Sequence, residues 1–209
     1  MAKPATGADD PPAVRSGRPR VASRAELERI GFALFERHGF EETTIDDIAA
    51  SAGIGRRTFF RYFASKNDLV WGDFEDHLTG LRSLLAAVPA EVPMMDALRE
   101  AVIEFNRFDP EVVPWHRRRM ELILRVPALR ADSTLRYHSW QALITEFVAA
   151  RLGQKVTGAV PRLIGNVALA TSVTAYELWL DDETADLAAL LDFSFRQLAT
   201  GFREFRDEA

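Results

Sequence analysis

The chain has 209 residues, a formal net charge of −5, and a hydrophobic fraction of 47%. It contains no cysteine, which excludes disulfides, thiolate nucleophiles and cysteine-ligated metals. We see neither the apolar core of a secretory signal nor an apolar run near the ~20 residues that cross a bilayer, so we expect a cytoplasmic globular protein without a membrane part. The acidic charge is uneven, because residues 1–70 carry a net charge of +1 and residues 71–209 carry −6.

The first segment, residues 1–20, is rich in proline, glycine and alanine and shows no apolar periodicity. This composition predicts a disordered arm. Arg18 and Arg20 lie at its end and are candidate DNA contacts, with a passive solvated tail as the alternative interpretation.

Three short helices are predicted in residues 21–70. Ser23 is a suitable N-cap for the first helix and Gly39 a suitable stop, while Thr44 caps the second helix. A glycine-bearing turn then leads to a third helix over residues 56–63. Two short helices joined in this way form a helix-turn-helix, whose second helix can enter the major groove of DNA.

Residues 71–209 are predicted to form a helical bundle, because helical apolar spacing recurs throughout and β-type alternation does not. A long helix starting at Ser65 carries an apolar stripe as far as Val88. The remaining predicted helices cover residues 94–108, 114–126, 133–152 and 161–179, followed by a last helix capped by Thr184. The predicted fold is therefore all-α, with about nine helices in a DNA-binding head and a ligand-binding and dimerisation body.

The series Thr43–Ala49, Gly53–Phe63 and Ser65–Leu69 resembles the signature of the TetR family of transcriptional regulators, with the family's spacing kept. The second of these stretches, with Trp71–Phe74 after it, is also similar to the regulators associated with mycofactocin gene clusters. The resemblance covers roughly residues 23–70 and implies a dimeric repressor with a helix-turn-helix head and a ligand-sensing helical body. The body itself offers no signature.

The resemblance places a set of matching positions at the DNA: Thr44, Arg56, Arg57, Thr58, Phe60, Arg61, Tyr62 and Lys66. Arginine can bind guanine O6 and N7 with two hydrogen bonds, and an apolar ring such as Phe60 can contact a thymine methyl. Thr44 and Lys66 start helices, where free backbone N–H groups favour a phosphate. Two departures from the family pattern, Gly55 in place of serine and Phe60 in place of tyrosine, leave open which bases are read. A helix hairpin with a solvated basic edge is the alternative.

The last two predicted helices are candidates for a dimer interface. Ala168 and Ala175 are small residues that permit close helix approach, and the final helix carries a wide apolar stripe. The stripe residues named for the interface are Leu191, Leu198, Phe202 and Phe205. The resemblance implies an intermolecular four-helix bundle here, whereas the stripe alone could equally belong to a deeply buried helix. A dimer is also expected because one head reads only a half-site.

Aromatic residues of the middle helices suggest an apolar ligand cavity. The candidate lining residues are Trp71, Phe74, Phe105, Trp115, Met120, Trp140, Phe147 and Trp179. The run that includes Arg117 and Arg118 could form a basic rim for a phosphorylated ligand. Such features are similar to those of family members that sense acyl-coenzyme A thioesters. The alternatives are an ordinary aromatic core and a solvated arginine face.

An enzyme and a helical protein-interaction module are the alternatives to a DNA-binding regulator. Asp73 and His77 are spaced to share a helix face and could bind a metal, but no third ligand is placed to join them. We find no nucleophile elbow, phosphate loop or paired carboxylates, so no enzymatic activity and no cofactor are expected. A helical protein-interaction module is the other alternative, and the arginine pattern of the head argues against it.

Overall fold

The structure is a computed structural model that describes residues 23–201. Helices are the only regular secondary structure in this part of the chain, which confirms the predicted all-α fold. Its helices are α1 (Arg24–His38), α2 (Ile45–Ser51), α3 (Arg56–Phe59), α4 (Lys66–Trp71), α5 (Phe74–Ala87), α6 (Met94–Phe105), α7 (Val113–Arg125), α8 (Pro127–Leu152), α9 (Ala159–Asp181) and α10 (Leu187–Thr200). Four candidate site residues, Arg18, Arg20, Phe202 and Phe205, lie outside the described residues, as does the predicted arm.

Side-chain caps define the first two helices of the head. The Ser23 hydroxyl accepts a hydrogen bond from the backbone N–H of Glu26. Thr44 and Asp47 form a reciprocal capping box at the start of α2. Below these helices, a single apolar cluster of the head includes Leu27, Phe35, Phe40, Ile48, Phe59, Phe63 and Leu69. The caps and this cluster together fix the orientation of α3.

The helix α3 is shorter than the sequence pattern predicts. Regular α-helix ends at Phe59, and the chain continues in tighter turns as far as Phe63. In these turns the backbone N–H groups of Arg61 and Tyr62 bind the carbonyls three residues earlier, at Thr58 and Phe59. Gly55 precedes α3 and supplies no side-chain cap, so the helix has little local support at its start.

The predicted long helix starting at Ser65 is wrong, because the chain breaks it at Gly72. This glycine has a positive φ of 59°, a conformation that residues with a Cβ rarely adopt. A Cβ at this position would lie 2.2 Å from Nη1 of Arg119, so a larger residue would also push that guanidinium aside. The result is two helices, α4 and α5, and ten helices rather than about nine within residues 23–201.

Two helix starts in the body also differ from the prediction. The helix α8 begins at Pro127 rather than near Ser133, because proline fits the first turn of a helix, where its missing N–H costs nothing. The last helix is capped by Asp186, whose carboxylate accepts from the N–H of Ala188, and not by Thr184.

The helix α9 has two apolar faces, which explains its composition. Its inner face is buried along Gly165, Ala168, Ala175 and Trp179. A Cβ on Gly165 would lie 2.3 Å from Oγ1 of Thr145, so glycine lets α9 approach α8 closely. By length and composition alone this 23-residue helix could span a membrane, contrary to our expectation from the sequence. Its inner face instead packs in the core of the body.

Candidate DNA-binding face and ligand cavity

The helix α3 and the turns after it present one buried and one exposed face. Phe59 and Phe63 are buried in the core of the head, as their spacing predicts. Arg56, Arg57 and Arg61 are exposed. Phe60 is also exposed, with 44% of its surface accessible to solvent. The exposed face therefore combines three arginines with one apolar ring; Thr58 and Tyr62 are half-buried beside it.

The three arginines differ in their partners. Arg56 forms an exposed ion pair with Asp46 at 2.8 Å, and its guanidinium lies 5.5 Å from the Phe60 ring centre. Within residues 23–201, no ion pair holds Arg57 or Arg61, although the Arg61 guanidinium lies 5.7 Å from the ring of Tyr62. Arg57 and Arg61 are thus the arginines of this face with the most freedom to bind DNA.

The Lys66 side chain has a different position from the one expected of a phosphate contact. Its ammonium donates to the backbone carbonyls of Phe40 at 2.6 Å and Thr43 at 2.9 Å, and it lies 4.2 Å from the Phe40 ring centre. Burial lowers the pKa of Lys66, although nearby Glu41 opposes the shift. The ammonium therefore ties α4 to the connection between α1 and α2. The Thr44 hydroxyl is likewise engaged as a cap, with Asp47.

The body encloses a cavity of about 270 Å³. Its walls include six of the predicted ligand-binding residues: Trp71, Phe74, Phe105, Trp115, Met120 and Trp140. Further apolar side chains from α7 and α9 complete the walls, among them Ile123, Leu124 and Leu169. Of all the lining residues, only His77 and Val112 are exposed to solvent. The cavity is therefore mainly apolar and partly open.

Four residues predicted to bind the ligand do not line this cavity: Arg117, Arg118, Phe147 and Trp179. Arg117 donates to the carbonyl of Trp179 at 2.6 Å and stacks 4.2 Å from its ring. Arg118 pairs with Glu36 of the head at 3.3 Å. Phe147 also lies outside the walls, beneath the guanidinium of Arg151. Consecutive helical residues point about 100° apart, so the three arginines of α7 cannot form one rim, and only Arg119 reaches the cavity.

A chain of polar side chains lies in the cavity wall and was not predicted. The Tyr176 hydroxyl donates a hydrogen bond to Oδ1 of Asn106. Because its own proton is used there, the same hydroxyl accepts a hydrogen bond from Nε2 of His116, 2.8 Å away. Burial lowers the pKa of His116 to about 3, and the neighbouring positive charge of Arg119 adds to this effect. Phe108 stacks on the imidazole, with 3.9 Å between ring centres. The imidazole is therefore neutral, with its proton on Nε2. No periodicity marks such residues in the sequence, because each comes from a different helix.

Two arginines join the cavity wall to the head at the break between α4 and α5. Arg119 donates to the carbonyl of Trp71 at 3.0 Å and binds the carboxylate of Glu28 in α1 at 2.6 Å. Arg24 donates to the carbonyl of Tyr62, after α3, at 2.7 Å and to the carbonyl of Gly72 at 2.9 Å. We call this group the arginine clasp: Arg24 and Arg119 with their partners Glu28, Tyr62, Trp71 and Gly72. We call residues 56–63, which are α3 and the turns after it, the reading segment. The clasp connects the cavity, the helix break and the end of this segment.

Four of the six residues predicted to form the dimer interface lie inside the single chain. Ala168, Ala175 and Leu191 are fully buried, and Leu198 is half-buried against the same core. The apolar stripes read from the sequence are therefore the inner faces of α9 and α10. The outer faces of α9 and α10 expose a different set of apolar side chains: Val160, Leu163, Leu178 and Phe193.

The alternative metal pair has other partners. The Asp73 carboxylate binds Arg24 at 2.7 Å, and Nδ1 of His77 lies 2.8 Å from the Asp73 carbonyl oxygen. Among residues 23–201, no group of three potential ligands lies close enough to hold a metal ion.

Two family models match the chain. The model of bacterial regulatory proteins of the TetR family matches residues 30–70, and the MftR C-terminal domain model matches residues 92–203. The chain therefore belongs to the TetR family of transcriptional regulators, as its helix-turn-helix motif predicts.

Relatives in the curated collections give a finer resemblance. The chain is 41% identical to the protein named "Putative mycofactocin biosynthesis transcriptional regulator MftR" of Mycobacterium tuberculosis. The match spans 187 residues, which are 90% of this chain and 94% of the relative. It is 30% identical to the HTH-type transcriptional regulator TcmR of Streptomyces glaucescens, over 80% of this chain and 77% of that one.

Solved structures share the fold at low identity. The TetR-family repressor FadR of Thermus thermophilus, in complex with lauroyl-CoA, has a TM-score of 0.56 at 22% identity and covers 90% of this chain and 98% of its own. SmeT, the repressor of a Stenotrophomonas maltophilia multidrug efflux pump, has a TM-score of 0.60 at 20% identity, with 90% and 95% covered. These likenesses support the arrangement of a helix-turn-helix head on a helical body.

Proposed function

We propose that this TetR-family regulator represses transcription by binding a palindromic operator as a homodimer in the cytoplasm, and that a hydrophobic small molecule in its body modulates that binding. The observation that carries the proposal is the mainly apolar cavity of the body, whose wall residue Arg119 also contacts the head. A ligand that binds two conformations of the body unequally shifts the equilibrium between them. The factor by which the ligand changes the affinity for DNA then equals the factor by which DNA changes the affinity for the ligand.

Within this class of ligand, we propose a long-chain acyl-coenzyme A thioester, whose acyl chain enters the cavity. The apolar walls support burial of an alkyl chain, since each buried CH₂ contributes roughly 0.8 kcal/mol. The lauroyl-CoA bound to the Thermus FadR shows that this fold can hold such a molecule. Arg117 and Arg118 no longer support the proposal, because both have partners away from the cavity.

The test begins with DNA from upstream of the chain's own gene, labelled and titrated with the purified protein at a fixed salt concentration. Acyl-coenzyme A thioesters of increasing chain length are then titrated with and without this DNA. We expect affinity to rise with chain length and the DNA and ligand to change each other's affinity by the same factor. Thioesters that bind without regard to chain length would overturn the ligand assignment, and binding that leaves DNA affinity unchanged would overturn the regulatory role.

A further inference from the structure

The indole N–H of Trp71, in the cavity wall, is a buried donor with no acceptor among the described residues. The Trp71 side chain is 5% exposed. The ring lies edge-on between Phe74 and Tyr137, with centre separations of 5.2 and 5.9 Å. Arg136 covers it at 4.8 Å. All three aromatic rings belong to the cavity wall. A buried donor without an acceptor is costly, so a ligand that supplied an acceptor to this N–H would gain binding free energy.

The charges around the cavity limit what that group can be. Arg119 is the one arginine or lysine among the lining residues, and its guanidinium already binds the Glu28 carboxylate and the Trp71 carbonyl. The imidazole of His116 is neutral, and its one N–H donates a hydrogen bond to the Tyr176 hydroxyl. Arg136, over the Trp71 ring, is already paired with Asp68 and Asp132. A buried carboxylate on a ligand would therefore lack an unpaired arginine, and an uncompensated buried charge is strongly unfavourable.

We propose that the buried part of the ligand is uncharged and carries a carbonyl oxygen that accepts the indole N–H of Trp71. An ester, thioester, amide or ketone on an apolar chain has this chemistry, whereas a free fatty acid ionised at neutral pH does not. This inference rests on the proposed ligand-binding function and deepens it, because it names the polar group that the cavity selects.

The experiment compares three ten-carbon probes by calorimetry on the full-length protein without DNA: methyl decanoate, decanoate at neutral pH, and decane. We expect the ester to bind at least tenfold more tightly than the carboxylate. In Trp71→Phe, which keeps a ring but removes the donor, we expect three- to tenfold weaker ester binding and a much smaller change for decane. Trp140→Phe alters another tryptophan of the same wall and serves as the matched control; it should affect ester and decane alike.

A second measurement does not depend on a variant. In protein labelled with ¹⁵N, the indole N–H resonance of Trp71, assigned by its loss in Trp71→Phe, should move downfield with the ester and move less with decane. Three results would overturn the inference. Decanoate could bind as tightly as the ester, Trp71→Phe could lose equal affinity for ester and decane, or none of the probes could bind. An ester that binds through Trp71 yet leaves operator affinity unchanged would instead overturn the proposed regulation and leave the inference standing.

Discussion

At the scale of single residues, Arg57 and Arg61 are the side chains of the reading segment with the least internal restraint. Both are exposed, and neither has an ion-pair partner among the described residues. We expect Arg57→Ala and Arg61→Ala each to weaken operator binding by about 1–3 kcal/mol, because each removes a base or phosphate contact without disturbing the core. Fluorescence anisotropy with labelled operator measures the effect.

The matched control for these variants is Arg82→Ala, which removes an exposed, ion-paired arginine from α5 in the body. It should leave operator affinity within twofold of the wild type. If Arg57→Ala and Arg61→Ala bind operator as tightly as this control, the assignment of the reading face is wrong.

His116 should make the protein less stable in mild acid. The unfolded chain protonates this imidazole near its ordinary pKa of 6.5, whereas burial keeps it neutral in the folded protein down to about pH 3. Because the unfolded state then binds the extra proton, the free energy of unfolding falls as the pH drops from 6.5 towards 3, by about 2 kcal/mol at pH 5. Urea denaturation at pH 7 and pH 5 measures this loss.

The control for that measurement is the same pair of denaturation curves for His116→Gln and for His138→Gln, an exposed position on α8. The loss between pH 7 and pH 5 should shrink in His116→Gln and persist in His138→Gln. An unchanged loss in His116→Gln would show that another group is responsible.

Residue-level prediction from the sequence worked better for the buried rings of the head than for the arginines of α7. Spacing identified Phe59 and Phe63 as inward-facing, because burial of rings follows the helical period. It could not separate Arg119, which lines the cavity, from Arg117 and Arg118, which do not. Long arginine side chains find carbonyl and carboxylate partners on distant helices, and those partners are fixed only by the tertiary fold.

At the scale of secondary-structure elements, Lys66 acts as a tie between α4 and the α1–α2 connection. Its ammonium binds two carbonyls within 3.0 Å, at Phe40 and Thr43. We expect Lys66→Met to destabilise the protein by about 1–3 kcal/mol, because the carbonyls lose a charged donor. Thermal unfolding measures the loss, with Lys155→Met in the exposed loop before α9 as the control. Equal melting temperatures for both variants would contradict this role for Lys66.

The arginine clasp should transmit ligand binding to the head. Arg119 lines the cavity and binds Glu28 of α1, so a ligand that displaces it changes how the head is held. We expect Arg119→Gln to reduce the factor by which ligand changes operator affinity, from a typical range of about 5–150 to nearly one. The measurement is operator affinity with and without saturating acyl thioester.

The neighbouring Arg118→Gln is the matched control for the clasp, because Arg118 also contacts the head, through Glu36, but does not line the cavity. Its ligand response should match the wild type. A full ligand response in Arg119→Gln would rule out transmission through this side chain.

Helix type was predictable from the sequence, but helix continuity between head and body was not. Apolar spacing runs through Gly72 without interruption, so the pattern favours one long helix. The break depends on Arg24 and Arg119, which occupy the space beside Gly72 and bind the carbonyls that the break exposes. Such an arrangement combines residues far apart in the chain, and no local periodicity reports it.

At the scale of the whole molecule, the outer faces of α9 and α10 are the surface on which we expect the dimer to form. Leu163 and Phe193 are 60% and 53% exposed, and neighbouring apolar residues extend the same faces. We expect Leu163→Glu and Phe193→Glu each to shift the protein from dimer to monomer, because both place a charge in a desolvated interface. Light scattering across a range of protein concentrations measures the change.

The control is Leu135→Glu on α8, which alters a leucine that is 78% exposed and far in sequence from both helices. This variant should remain dimeric. A dimer that survives both Leu163→Glu and Phe193→Glu would place the interface elsewhere.

The apolar wall of the cavity also determines how long a response lasts after the free ligand is removed. A ligand that buries an alkyl chain against this wall must expose that chain to water before it leaves. Affinity differences among related ligands are expressed mainly in the dissociation rate. A ligand with a longer alkyl chain should therefore stay bound for longer, and the change in DNA binding that it causes should decay more slowly.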